Sequence, residues 1–142
     1  MKDGAQLLRA MLKTIQTSQV EIRSVLDVSL GSNLRNTLES QLREYDSMET
    51  EAYTIALQRG CELPELDPGQ RFLKDRFTRI KLNLHNTDSR VADMLIRGNT
   101  KGMILGLRKL HQLEPRDHQI RILSQKLLDC ENAGIRQMLR FL

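Results

Sequence analysis

The chain has 142 residues, 39% of them apolar and only 4% aromatic, with no tryptophan, so a core must be built from Leu, Ile, Val and Met. That length suits a single domain, 1–142, large enough to bury a real core. Two cysteines, Cys61 and Cys130, are too few for a disulfide framework or a zinc site, and no apolar run approaches a membrane span.

The net charge of +4 is unevenly spread. Through position 70 there are 7 basic and 11 acidic residues, and from 71 onward 15 basic and 7 acidic, so the halves carry −4 and +8. Such a division makes either a solvated bundle surface or a basic face for an acidic partner. The N-terminus leads straight into an amphipathic pattern containing Arg9 and Lys13, so no signal peptide is expected and the cytoplasm is the expected location.

A first helix is expected from about 3 to 29, with Leu8, Met11, Leu12, Ile15, Ile22, Val25 and Leu26 at steps of three and four. Ser18 and Gln19 interrupt that stripe at its middle. A second helix is expected from Gly31-Ser32, with Ser32 as N-cap, to Gly60, a good residue for closing a helix. Its stripe is Leu34, Leu38, Leu42, Tyr45, Met48, Ala52 and Ile55. The short link between them makes these two helices antiparallel neighbours.

Residues 61–69 hold two of the three prolines and read as a loop. Asp67-Pro68 then opens a shorter helix, roughly 68–84, carrying Phe72, Leu73, Phe77, Ile80 and Leu84. A third long helix is expected over about 88–113, with Thr87 as its cap. Pro115 is expected at the first position of the last helix, about 115–141, with the stripe Ile120, Leu123, Leu127, Cys130, Gly134, Met138 and Phe141.

The third long helix carries Gly98, Gly102 and Gly106 four residues apart, hence on one face. At roughly 1 kcal/mol each relative to alanine, the ridge costs on the order of 3 kcal/mol, and something must offset that. Close helix packing, a subunit interface and a groove for an apolar ligand are the three readings. The last helix carries one acid, Glu131, on its inner face between Leu127, Leu128, Ile135 and Met138. A buried carboxylate needs a partner. Gln19 or Tyr45 could supply a hydrogen bond, and Glu21 or Glu49 could complete a weak cation site.

Four matched amphipathic helices mean an all-α, up-down four-helix bundle, with the shorter helix in the crossover between the second and third long ones. The layout, with Arg71-Phe72-Leu73-Lys74 in the crossover, Arg97-Gly98 inside the third long helix and Pro115 before the last, resembles the ferritin-like superfamily. It is most similar to small bacterial ferritin-like proteins of uncharacterised function. That resemblance implies a bundle able to hold two metals on carboxylates and paired Glu-x-x-His motifs.

The motifs are missing here. Three residues after Glu44, Glu49, Glu51 and Glu131 stand Ser47, Ala52, Thr54 and Gly134, and His85, His111 and His118 lie near helix ends. No metal ligand therefore transfers, and no cofactor is expected. Arg71, Lys74, Arg76, Arg79 and Lys81 cluster without a nucleic-acid-binding motif or stacking aromatics, so nucleic acid is a poor candidate. There is no nucleophile elbow, phosphate-binding glycine loop or Cys-x-x-Cys. The expected role is non-enzymatic: self-association as a dimer or larger, or binding of a protein partner. A degenerate di-metal carboxylate protein retaining iron or manganese is the alternative.

Overall fold

The computed structural model describes residues 2–28, 30–63 and 87–142. Among these the chain forms four α-helices and no strands: α1 (Lys2–Leu26), α2 (Ser32–Arg59), α3 (Thr87–Leu113) and α4 (His118–Leu139). The expected crossover helix at 68–84 lies outside the described residues. No described helix is long and apolar enough to cross a membrane.

The apolar stripes meet in one core. Leu8, Leu12 and Ile15 from α1, Leu34, Leu38 and Met48 from α2, Val91 and Leu95 from α3, and Ile120, Leu123 and Met138 from α4 are all buried. Each helix puts apolar side chains on one face because its sequence repeats at three- and four-residue steps, and the four stripes bury one another.

Helix ends follow local chemistry, in places differently from expectation. Gly60 closes α2 in the left-handed conformation, φ 65°, and its N–H reaches back to the Ala56 and Leu57 carbonyls. Gly31, rather than Ser32, occupies the position before α2, with no side-chain cap. Its N–H instead donates to Asp88 Oδ1 at 3.0 Å, tying the α1–α2 link to the start of α3. The first helix stops at Leu26, short of 29, and Arg35 donates to the freed Leu26 and Val28 carbonyls. The described part of α3 begins at Thr87.

The largest boundary correction concerns the last helix. Pro115 is buried but lies before the helix, which starts at His118. Asp117 is the N-cap, its carboxylate accepting from the Gln119 and Ile120 N–H groups. Arg59, at the end of α2, donates to the same carboxylate at 2.6 Å, so cap and ion pair share one side chain.

Contacts fix the directions. Arg59–Asp117, Glu51–Lys126, Glu44–Cys130 and Gln41–Gln137 run in opposite order along α2 and α4, which are therefore antiparallel. Gly31 meets Asp88 at the start of α3, and Glu21 faces Gly98 further along, so α1 and α3 are antiparallel too. The α1–α2 and α3–α4 pairs are each up-down, while α2 and α3 point the same way. The chain thus leaves the described part at one end of the bundle, after 63, and re-enters at the other, at 87.

Candidate functional site: a cleft between α1 and α3

The glycine ridge borders open space. A cleft of about 790 Å³ lies between α1 and α3 with α4 at its floor, and Gly98, Gly102 and Gly106 all line it. Leu7 and Met11 of α1, Met94 and Leu105 of α3, and Leu127 and Leu128 of α4 supply apolar wall. Lys13, Arg97, Lys101, Arg108 and Lys109 also line it, and all five are exposed, forming a basic rim.

The ridge is half-buried, and side chains are what face it. A Cβ at Gly98 would fall 2.9 Å from Glu21 Oε2, and one at Gly102 would fall 2.6 Å from Glu131 Oε2. At Gly106 the nearest atom would be Leu128 Cδ2, at an ordinary 3.5 Å. Two of the three glycines therefore leave room for carboxylates. Positions four apart on a helix have Cβ atoms about 5–6 Å apart, so the two acids sit about one helical turn apart along the ridge.

Glu131 is 1% exposed, and among the described residues its Oε2 has no hydrogen-bond partner. Burial, and secondarily the charge of Glu21, push its carboxyl up from 4.5 to about 8. At neutral pH it is chiefly the neutral acid, which can donate as well as accept a hydrogen bond.

The two partners expected for Glu131 are occupied elsewhere. Gln19, 2% exposed, donates to Asp46 Oδ1 at 2.8 Å and to Glu49 Oε1 at 3.3 Å, on the seam between α1 and α2. Gln16 joins that network by donating to Glu49 Oε2 and to the Tyr53 hydroxyl. Glu49 is thus engaged with the α1–α2 glutamines. Tyr45 donates to Asn99 Oδ1 at 3.5 Å rather than to Glu131. Burial is the main cause that raises the Tyr45 phenol far above its ordinary range, with the Cys130 and Glu131 charges adding to it. Ser18, buried on α1, hydrogen-bonds the same phenol.

Sequence reasoning missed Asn99, which is buried and faces Gly134, where a Cβ would lie 2.8 Å from its Nδ2. It also treated the ridge and Glu131 as separate features. The signal was present as a glycine face in one helix and an inward acid in another, but nothing in one sequence pairs them.

Cys130 donates to Glu44 Oε2 at 3.2 Å, and burial followed by that hydrogen bond pushes its thiol up to about 12. Among the described residues no three His, Cys, Asp or Glu side chains gather as a metal site would require.

Comparison with known proteins gives a fold. No family model matches the chain, and no curated protein does. The crystal structure of a DUF305 fragment from Deinococcus radiodurans is similar, with a TM-score of 0.79 over 99% of this chain and 95% of that one, at 12% sequence identity. Likeness at that identity is likeness of architecture, an all-helical fold.

Proposed function

We propose that this protein acts by binding rather than by catalysis, and that the cleft between α1 and α3 receives its ligand, a small molecule with an apolar body. One observation carries the reading: a buried carboxyl, that of Glu131, whose Oε2 has no hydrogen-bond partner among the described residues and which stands in the wall of a 790 Å³ cleft. Ligand sites are commonly concave, largely apolar spaces of roughly 300–1,000 Å³ with a few placed polar groups. The glycine ridge supports it too, since side chains at 98 and 102 would collide with Glu21 and Glu131.

Nile red, a neutral apolar dye, tests this without engaging the basic rim by charge. Saturable binding of one dye per chain, lost in Gly106→Leu with the helical signal intact, is the expected result. Binding that is absent, or indifferent to that substitution, contradicts it.

Self-association is a second reading, carried by Ile104, Leu105 and Leu107, which are exposed together on one stretch of α3. Light scattering tests it: a dimer or larger that Leu107→Lys converts to a monomer supports an interface there. The ferritin-like reading of the bundle belongs with these proposals, supported by two antiparallel helix pairs whose joining segment starts and ends at opposite ends of the bundle. On that reading Glu21 and Glu131 are the remnant of a carboxylate pair. Iron or manganese at one equivalent per chain would favour the di-metal alternative.

A further inference from the structure

We propose that the cleft takes an amphiphilic anion: a molecule whose single apolar chain lies against Leu7, Met11 and Leu128 and whose anionic head meets Lys13, Arg108 and Lys109 at one end of the cleft. The inference rests on the small-molecule reading of the cleft and names the ligand's head group.

Helix register gathers the cations. Glu21 faces Gly98, and α1 and α3 are antiparallel. Eight residues back along α1 from Glu21 is Lys13, and eight residues on along α3 from Gly98 is Gly106, about 12 Å in either helix. Lys13 therefore comes level with Gly106, within a turn of Arg108 and Lys109, and all three cations are exposed and line the cleft. The same end is apolar inside. Leu128 lies at the Gly106 position on the floor, and Leu7 and Met11 precede Lys13 on α1.

These three cations lack acids. Elsewhere cations meet carboxylates across the helix seams: Arg23 with Asp46 between α1 and α2, and Arg59 with Asp117 and Lys126 with Glu51 between α2 and α4. Lys13, Arg108 and Lys109 make no ion pair or hydrogen bond among the described residues. Positive charges gathered at one mouth repel one another; an anionic head relieves that, and an ammonium head adds to it. The acids of the cleft stand towards its other end. Glu21, which has a partner within the protein, lies at Gly98, and Glu131, chiefly the neutral acid at pH 7, lies at Gly102. A small inorganic anion would leave the Leu and Met wall uncovered, so the head needs a chain behind it.

Competition with Nile red at pH 7 and low salt reads the head group, using octanoate, 1-octanol and octylamine: one chain with three heads. Octanoate is expected to compete about tenfold more tightly than octylamine and about threefold more tightly than octanol. Its advantage over octanol should shrink in high salt, where exposed charges are screened. Lys13→Gln together with Lys109→Gln should bring octanoate down to the octanol value. Octanol or octylamine competing as well as octanoate, or an octanoate-to-octanol ratio that the double variant leaves unchanged, would overturn the anion and leave the apolar cleft standing. Nile red that does not bind would remove the cleft reading and this inference with it. Cosedimentation with phosphatidylglycerol vesicles that octanoate fails to compete away would assign the cations to a lipid surface and overturn the free ligand.

Discussion

Gly102 of α3 leaves the space that the Glu131 carboxylate of α4 fills: a Cβ at 102 would stand 2.6 Å from Oε2. The absence of one side chain and the burial of another are a single arrangement. The expected compensation for a glycine ridge, a close backbone, is replaced at this position by a carboxyl group that borders a cleft.

Alanine at two ridge positions should therefore behave differently. Gly106→Ala adds a methyl in ordinary contact with Leu128 and gains helix propensity, so stability should rise by about 1 kcal/mol, or roughly 3 °C in Tm. Gly102→Ala gains the same propensity but must displace Glu131, so its Tm should be below that of Gly106→Ala. Paired thermal melts check this.

The Glu131 carboxyl makes stability depend on pH in a definite direction. Its folded value, about 8, lies above the ordinary 4.5, so the folded state holds a proton that the unfolded state releases between those values. The stabilisation is complete below pH 4.5 and is lost as pH rises through 8. Its size is on the order of a few kcal/mol. Urea unfolding should show wild-type stability falling from pH 5 to pH 9, whereas Glu131→Gln should be flatter over that window and more stable than wild type at pH 9. The charge of Glu21 on α1 adds to the effect, and Tyr45 of α2 and Cys130 of α4 feel the Glu131 charge in turn, so Glu21→Gln alone should lower the Glu131 midpoint.

Asp117 works in the opposite sense. The Arg59 hydrogen bond, followed by the helix N–H groups, holds its carboxyl below the ordinary value. The stability it contributes is present above the unfolded carboxylate range and is lost as pH falls through the folded value. Asp117→Ala should cost about 1 kcal/mol from the cap alone at pH 7. Asp117→Asn, which keeps a capping oxygen, should recover most of it.

Cys130 should be chemically quiet. With its thiol pushed up to about 12 and donating to Glu44, very little thiolate exists at pH 8. Cys61→Ala protein treated with iodoacetamide at pH 8 should remain unmodified while folded and react promptly in urea. Adding Glu44→Gln should speed the folded reaction.

Much of the architecture was legible because it depends on periodicity and punctuation. Leu34, Leu38, Tyr45, Met48, Ala52 and Ile55 recur at helical steps and are buried, and Gly60 ends α2 as expected. Pro115 misled because proline tolerates the first helical turn without requiring it, while Asp117 two residues later offers a side-chain cap and an arginine partner. Ser18 and Gln19 could not be resolved from one sequence. Their position gives a face, but their burial depends on Tyr45, Asp46 and Glu49 reaching them from another helix. The pairing of Glu131 with Gly102 was hidden for the same reason: it joins two helices whose register is set by the packing of every other residue.

Nile red titration of wild type and Gly106→Leu at pH 7 tests the central claim most directly. The account predicts saturable binding of one dye per chain to wild type, lost in the variant with its helical signal intact. Dye that fails to bind wild type, or that binds both proteins equally, would contradict it.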